Sequence, residues 1–435
     1  MHINNYVPMK IEKSNQSINP FSGINFIIQE LNNSGVKRKI DECLGSRSSD
    51  CEYSYSDTII ALWAIFLCGG DCAEDITEHL GVHLKKIPGL KVPSADTILR
   101  CQKELKTEKD VYLSENGVIN EFNTNIPLNR LNIGILKHIH LLESEMRYDF
   151  DYDNQLLPTE KYDAKRSYKH FDGYFPGIAT IKGMPVYIEN HNGNSNVKYR
   201  QEETLQRAYS LLEEAGIRIY SSRMDCGSYA EEIINMVEKY SELFYIRAMR
   251  CNNLEEKIRN IKHWDIVEIN YKTYEVASIE YQPFGIKDKI YRLVIMREPN
   301  KDGQVDLLTD DAMKYRSILT NDWISKEIQV IEYYNQRGES EKVFDVLNND
   351  FGWNRMPFSF MHENTVFLIL MAICKNIYQY FIEKYAQQVD FLEKNFRLKK
   401  FIFRFINVAG KWIKRGRQNV LKLFTNKPYE LILSP

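Results

Sequence analysis

Hydrophobic and polar positions divide the chain into four stretches with different periodicities. Residues 1–135 carry apolar positions at helical spacing, and residues 136–253 alternate short apolar strands with amphipathic helices. Residues 254–325 are rich in strands, and residues 326–435 are mainly helical again until about residue 400. The pattern predicts a helical N-terminal region and an α/β core in two parts, with a β-rich insertion between them.

Two helices of the first stretch show clear signals. An apolar helix is predicted over 57–68, and a second over 93–105 begins at the capping residue Ser94 and turns Arg100 and Lys103 outward. A pair of helices of this kind is typical of a DNA-reading module. Plain helical packing explains the same pattern equally well, so both interpretations stay open.

The second stretch has a definite order of elements, which is three strands, a helix, a strand, a helix and a strand. The three strands are "MRYDFDYD", "GYFPGIATI" and "MPVYIEN". The helix "QEETLQRAYSLLEEAG" ends at Gly216, and the elements after it are "IRIYSSRMD", "SYAEEIINMVEKY" and "LFYIRAM". In the insertion, "HWDIVEINYKTYEVASIEYQ" and "KIYRLVIMRE" predict successive antiparallel strands.

Composition is ordinary for a soluble globular protein, with 43% hydrophobic and 27% charged residues in 435. The longest apolar run, 365–374, is about half the roughly 20 residues that a membrane span needs, so we expect a buried core helix and no membrane association. No secretory signal is evident, which predicts a cytoplasmic location. Eight cysteines without CxxC or matched Cys/His spacing argue against a zinc site or a disulfide framework.

Carboxylates stand at strand ends in the α/β stretch. Asp149, Asp151 and Asp153 are two apart and therefore share one face of a strand, where their mutual repulsion calls for a cation. Asp225 ends a later strand and precedes a helix, which is where open α/β sheets place ligand-binding groups. Together with Glu341 on a later helix, they describe a ribonuclease-H-like site for two divalent metal ions about 4 Å apart.

The stretch "YYNQRGESEKVFDVLNND" places Tyr334, Arg337, Glu341 and Asn348 on one helical stripe, at steps of three, four and seven. The opposite stripe is apolar and would pack on a core. An Arg/Glu pair on a solvated helix face is the simple explanation of this pattern. The carboxylates on the strands favour a functional role for it instead.

Charge is uneven although the net charge is only −2. From Lys394 to Lys427 there are eleven Lys or Arg and no Asp or Glu, interleaved with six Phe or Trp. Such a segment suits a DNA phosphate backbone, and its candidate contacts are Lys411, Lys414, Arg415 and Arg417. The alternative is a basic amphipathic helix docked on an acidic part of the same protein.

These motifs resemble those of DDE transposases of bacterial insertion sequences, in the clan marked by Tyr-x2-Arg-x3-Glu-x6-Lys, and most closely insertion-sequence family thirteen-eighty. Tyr334, Arg337 and Glu341 fit the signature, whereas Asn348 stands at its Lys position. The first motif matches "FDYDNQLLPTEKYDAKRSYKHFDGYFP", although Gln155 stands where the family commonly has Thr. The second motif, Arg-x-Asp-x-Gly-x-Tyr, matches 223–229, and the resemblance covers residues 55–425.

The resemblance implies a ribonuclease-H-like core in which Asp153, Asp225 and Glu341 are catalytic and hold Mg²⁺ or Mn²⁺, with Asp151 as an auxiliary ligand. It also implies end cleavage and strand transfer in cut-and-paste transposition, on terminal inverted repeats and target DNA, by a homodimer. The DNA contacts implied in the signature helix are Tyr334, Arg337, Lys342 and Asn348. A metal-dependent nuclease without strand transfer and a catalytically silent DNA-binding protein are the alternatives.

Overall fold

The structure is a computed structural model that describes residues 9–283, 285–300, 303, 305 and 312–433. Its first helices are α1 Ile24–Asn33, α2 Val36–Leu44, α3 Tyr55–Leu67, α4 Gly81–Leu84 and α5 Ala95–Glu104. A π-helical turn over Ile76–Leu80 precedes α4. The helices predicted over 57–68 and 93–105 are confirmed as α3 and α5. The Ser94 hydroxyl caps α5 by accepting a hydrogen bond from the Thr97 N–H.

A β-hairpin interrupts this region, which the periodicity predicted to be helical throughout. β1 Asp110–Leu113 pairs with β2 Ile119–Asn123, and α6 Ile126–His138 follows. β2 in turn joins the central sheet, with Phe122 opposite His191. Val111 of β1 is exposed, whereas Phe122 of β2 is fully buried and stacks on the His191 ring with 3.7 Å between centroids. Pairing with the central sheet and burial of one face of β2 therefore both hold the hairpin in place.

The predicted order of three strands, helix, strand, helix and strand is confirmed. Its elements are β3 Arg147–Asn154, β7 Gly177–Ile181, β8 Met184–His191, α7 Gln201–Glu214, β9 Arg218–Met224, α8 Glu231–Tyr240 and β10 Ser241–Arg247. Three short strands between β3 and β7 form a small sheet of their own: β4 Leu157–Pro158, β5 Lys165–Arg166 and β6 Asp172–Tyr174. β3, β9 and β10 are parallel neighbours, so their carboxyl ends lie at one edge.

The strand-rich insertion is confirmed, and it continues the central sheet instead of forming a separate one. It contains α9 Asn252–Arg259, β11 Asp265–Ile269, β12 Lys272–Tyr281, β13 Tyr291–Pro299 and β14 Met313–Thr320. β14 pairs antiparallel with β10. The result is an eleven-stranded mixed sheet in the order β1-β2-β8-β7-β3-β9-β10-β14-β13-β12-β11.

The C-terminal stretch begins with helices and ends in a β-hairpin. Its elements are α10 Glu327–Asn335, α11 Glu339–Asp350, α12 Met361–Tyr385, α13 Leu398–Phe401, β15 Gly410–Arg415 and β16 Gln418–Leu423. A 3₁₀ turn over Gln336–Gly338 separates α10 from α11. The single helical stripe predicted through Arg337 is therefore broken, because a 3₁₀ turn has three residues per turn and shifts the faces that follow it.

Helix α12 is the centre of the larger hydrophobic core, which also contains α1 and α3. The Trp63 indole of α3 donates to the Leu370 carbonyl at 2.9 Å and links the N-terminal helices to it. By length and composition α12 alone among the described helices could span a membrane, but 89% of its most apolar window is buried inside the protein. The prediction of a buried core helix is confirmed. Helix α12 continues beyond Lys375, whose buried ammonium donates a hydrogen bond to the Gly183 carbonyl.

Candidate active site

The three aspartates of β3 face partners on the same side of the sheet, as their alternation predicted. The pairs are Asp149 with Ser221 at 2.9 Å, Asp151 with Arg223 at 2.7 Å, and Asp153 with Arg337 at 2.9 Å. Two guanidinium groups thus relieve the repulsion among the carboxylates. Arg223 lies in β9 and Arg337 lies in the 3₁₀ turn after α10, which are the two segments that carry the other predicted motifs.

Asp151 and Arg223 form a bidentate ion pair inside the protein. Arg223 donates from Nε and Nη2 to the two carboxylate oxygens at 2.7 and 2.8 Å, and each side chain is only 8% exposed. Its Nη1 donates to the Tyr333 carbonyl at 2.9 Å, which fixes α10 to β9. Burial raises the pKa of the Asp151 carboxyl, and Arg223 opposes that rise. In this arrangement both oxygens of Asp151 are engaged by Arg223.

Asp153 and Asp225 lie side by side at the carboxyl ends of parallel strands. Tyr152 stands opposite Met224 in the β3–β9 register, so the next residues on each strand are these two aspartates. Asp225 accepts a hydrogen bond from the Gly227 N–H at 2.9 Å, which starts a 3₁₀ turn. Burial raises the pKa of Asp153; Arg337 opposes that rise, and the charge of Asp225 adds to it. The two carboxylates therefore share one electrostatic environment.

The signature residues Tyr334 and Arg337 cover this pair of aspartates. The Tyr334 hydroxyl donates to the Met224 carbonyl at 3.2 Å, next to Asp225 in the chain. Arg337 binds Asp153, and its pKa lies above the ordinary value because Asp153, and to a smaller extent Asp225, outweigh the opposing effect of burial. Arg337 thus supplies the positive charge at the mouth of the site.

Glu341 does not complete a tight cluster of three carboxylates, because the oxygens of Glu341, Asp153 and Asp225 do not all lie within 4.8 Å of one another. It is exposed in the first turn of α11, one helical turn past Arg337, and Lys342 beside it is also exposed. Asn348 is half-buried, and its Oδ1 has no hydrogen-bond partner in the described structure. The predicted apolar stripe of this helix is confirmed, since Val343, Phe344 and Leu347 are buried. The structure brings together Asp153, Asp225, Arg337 and Tyr334.

Comparison with protein families decides the class to which this arrangement belongs. The model of the family described as Transposase DDE domain group 1 matches residues 8–434. The chain belongs to this family.

Comparison with solved structures finds the piggyBac transposase in a synaptic complex with hairpin DNA, determined by cryo-EM. It is similar to this transposase chain with 12% sequence identity and a TM-score of 0.43, over 89% of this chain and 79% of that chain. A comparison with curated proteins finds no match.

DDE transposases use divalent metal ions, and the donor atoms at the strand ends have suitable chemistry for them. Asp153 and Asp225 offer the hard oxygen ligands that Mg²⁺ prefers, and the Arg337 guanidinium provides their positive counter-charge here. Within the described ranges, one group of three has all its ligand atoms within 4.8 Å, and it is Asp71, Cys72 and Asp75. That group is a local turn in which Asp71 pairs with Arg355.

The basic C-terminal segment of this transposase, residues 394–427, begins with a short helical part and continues as a β-hairpin. The alternative of a basic helix docked on an acidic part of the same protein is met in the helical part, where Arg397 pairs with two aspartates of α11. β15 pairs with β16 through a two-residue turn, and Lys411 lies opposite Lys422. Lys414, Arg415 and Arg417 are exposed at its tip, while Lys411 is half-buried near the Phe424 ring.

Sequence reasoning missed the part that Arg223 plays. It was recognised only as the first residue of the second motif, two positions before Asp225. Because alternate residues of a strand share a face, that spacing could have indicated that Arg223 points towards the aspartates of β3. Its contact with the Tyr333 carbonyl follows from the packing of α10 and has no counterpart in the local pattern.

Proposed function

We propose that this chain is the transposase of a bacterial insertion sequence, most like family thirteen-eighty, which cuts the ends of the element and joins them to target DNA. One observation carries the proposal. Asp153 and Asp225 lie together at adjacent parallel strand ends, with Arg337 of the signature against Asp153. A core in which β3, β9 and β10 are parallel, and β7 and β8 complete the sheet, supports a ribonuclease-H-like catalytic domain.

In this proposal Asp153, Asp225 and Glu341 hold two divalent ions, with Mg²⁺ as the natural ion and Mn²⁺ as a substitute. When bound, the ions activate a water or a DNA 3′-hydroxyl for attack and stabilise the leaving 3′-oxygen. Asp151 is the predicted auxiliary ligand. Its pairing with Arg223 favours a positioning role, in which it holds β3 and β9 in register beside the catalytic carboxylates.

The remaining signature residues orient DNA. Arg337 offers a planar fork that suits a phosphate, and on turning to DNA it would release the Asp153 carboxylate for metal. Tyr334 keeps this segment on the end of β9 through its bond to the Met224 carbonyl. Lys342 and Asn348 lie further along α11, where they would contact the same backbone. Asn348 brings no charge, so basic residues elsewhere must supply part of the grip.

The DNA partners are the terminal inverted repeats of the element and its target. The exposed cations at the tip of the C-terminal hairpin support this proposal, because each Lys or Arg on a phosphate releases condensed counterions. We further infer that the transposase acts as a homodimer on paired ends, in the cytoplasm. The same proposal includes a division of the chain into domains. The DNA-binding region covers 1–135, the core segments cover 136–253 and 326–435, and the insertion covers 254–325.

A cleavage and joining assay tests the proposal. DNA flanking the gene is searched for matched inverted repeats, and a duplex carrying them is incubated with the purified chain and Mg²⁺ or Mn²⁺. Asp153→Asn, Asp225→Asn and Glu341→Gln should each abolish cutting and joining. Glu339→Gln, an exposed carboxylate in the same helical turn as Glu341, is the matched control and should remain active.

The outcomes separate the competing functions. Joining of pre-cut ends supports a transposase, while cutting without joining would establish a nuclease. Binding without either reaction, in every metal tested, would establish a silent DNA-binding protein. If Glu341→Gln kept full activity while both aspartate variants were inactive, the third catalytic carboxylate would have to be sought elsewhere.

A further inference from the structure

A basic segment lies between β4 and β6, close to the strand that carries Asp153. We define residues 161–170 as the basic lip. Its cations are Lys161, Lys165, Arg166 and Lys169, and its one acidic residue is Asp163. Lys161 is half-buried and the other three cations are exposed. Within the described part of the chain none of the four makes an ion pair, whereas Arg147 and Arg218, at the starting ends of β3 and β9, are both paired.

Two tyrosines of the basic lip present their rings to solvent. Tyr162 is 83% exposed and Tyr168 is 69% exposed, which is unusual for large aromatic side chains. The Tyr162 ring packs edge-on against Phe360 with 5.4 Å between centroids, and the Lys169 ammonium lies 5.8 Å from the Tyr168 ring. Exposed aromatic rings among unpaired cations are the combination that binds single-stranded nucleic acid.

The basic lip is held in place by a buried anchor, so these side chains belong to an ordered surface. Asp163 accepts hydrogen bonds from the Tyr174 hydroxyl at 2.6 Å and from the Met361 N–H at 2.9 Å. It also binds the Lys109 ammonium at 3.2 Å. The bond to Met361 caps the first turn of α12, the central helix of the core. The charge of Asp163 is therefore neutralised inside the protein and does not offset the four cations of the basic lip.

Chain connectivity places the basic lip near the catalytic aspartates. Leu157 of β4 is four positions after Asp153, which limits the distance between their Cα atoms to about 14 Å. Leu157 pairs with Tyr174 of β6, the strand that follows the lip directly. On the other side, Asn154 pairs with Gly177, three residues past Tyr174. DNA lying over Asp153 would reach the basic lip within a few nucleotides.

We propose that the basic lip binds the DNA strand next to the scissile phosphate. Lys161, Lys165, Arg166 and Lys169 contact phosphates. Tyr162 and Tyr168 stack on bases that are unpaired at the cut, since in an intact duplex the base faces are covered by their neighbours. That the partner is DNA rests on the proposed function. The contact surface itself is inferred from the charge, exposure and position of the residues of the basic lip.

Equilibrium binding of the full chain to DNA in EDTA tests the charge component. The probes are a fluorescent mixed-sequence duplex and the corresponding single strand, titrated at several salt concentrations. The variant Lys165→Gln/Arg166→Gln/Lys169→Gln should bind both probes more weakly. On the duplex, the negative slope of log affinity against log salt should become shallower by about 2.7 units, at about 0.9 per phosphate contact.

A matched control removes three positive charges at the starting ends of β3, β9 and β10. It carries Arg147→Gln, Arg218→Gln and Lys239→Gln, and each of these parent residues is exposed. It should keep the parent slope, because these positions lie at the opposite end of the sheet from Asp153. If both triple variants changed the slope equally, the effect would be one of net charge and the proposal would be refuted.

The tyrosines are tested with Tyr162→Ala/Tyr168→Ala. Affinity for the single strand should fall about five- to 150-fold for each base that loses a stacking partner, while duplex affinity falls much less. Equal losses on both probes would refute stacking on unpaired bases.

Failure of this proposal is distinguishable from failure of the proposed function. Binding in EDTA needs no metal, so a chain that binds through the lip without cutting DNA contradicts only the proposed function. A chain that cuts DNA while the lip variant keeps the parent slope contradicts only the lip.

Discussion

Replacing Asp151 with Asn separates a structural carboxylate from a catalytic one. Asp151 and Arg223 are each 8% exposed and joined by two hydrogen bonds, so the substitution leaves a guanidinium buried without its counter-charge. Breaking a buried pair by removing one partner costs about 3–5 kcal/mol. Asn keeps one acceptor for Arg223, so we expect a loss of about 3 kcal/mol in the free energy of unfolding.

Asp153→Asn should cost less stability. Burial raises the pKa of both Asp151 and Asp153, so both carboxylates carry a desolvation cost, and the difference between them lies in their partners. Asp153 is joined to Arg337 by one hydrogen bond, and their side chains are 18% and 14% exposed, so Arg337 can turn towards solvent when the charge is removed. We therefore expect a smaller loss of stability than for Asp151→Asn, while metal-dependent cleavage is lost.

Urea unfolding and a DNA cleavage assay at fixed metal concentration measure both quantities on the same preparations. The expected result is that Asp151→Asn loses stability but still cleaves below its unfolding transition, and that Asp153→Asn loses less stability but is inactive. A double variant, Asp151→Asn/Arg223→Met, removes both buried charges and should recover part of the lost stability.

The reasoning is refuted if Asp151→Asn is as stable as the parent protein, has no cleavage activity and binds metal more weakly. Asp151 would then be a principal metal ligand, and the alignment of the first motif would be wrong by two residues.

Three further predictions follow from the same structure. The first concerns four cations of the C-terminal hairpin, Lys411, Lys414, Arg415 and Arg417. Replacing all four with alanine should weaken binding to every duplex alike and reduce the steepness of the salt dependence by up to about four units. Selective loss of end recognition would instead make the hairpin a sequence reader. Burial lowers the pKa of Lys375 to about 7, so the stability of the parent should rise with pH above about 7, by at most about 1.4 kcal/mol per pH unit, and urea unfolding of Lys375→Met should show no such rise. Asp163→Asn should cost about 1–3 kcal/mol in urea unfolding, because it weakens the bonds to Lys109 and the α12 N-terminus, and an unchanged midpoint would contradict its role as the anchor of the basic lip.

Local pattern was sufficient for the elements of the core. Alternation placed Asp149, Asp151 and Asp153 on one face of β3, and a capping Ser94 marked the start of α5. The order of strands and helices from β3 to β10 also followed from periodicity, since each element buries a face whose spacing the sequence displays. The position of Asp225 directly after β9 was predicted for the same reason.

Only the tertiary structure decided which groups meet across the sheet. Asp153 and Arg337 are 184 residues apart, and their contact depends on how α10 packs over β3 and β9. The region of the β1–β2 hairpin was predicted to be helical from its local pattern, but it forms strands, of which β2 pairs with β8.

The opening stretch of the signature shows the limit of local reasoning most clearly. Tyr334, Arg337 and Glu341 were predicted on a single stripe, but a 3₁₀ turn between α10 and α11 leaves the first two on the aspartates and the third exposed. Helical spacing determines which side chains share a face, and the sequence carries that information locally. The 3₁₀ turn at Gln336–Gly338 lies between α10, which packs on the sheet, and α11, which packs on α12, and no local periodicity encodes that change of packing partner.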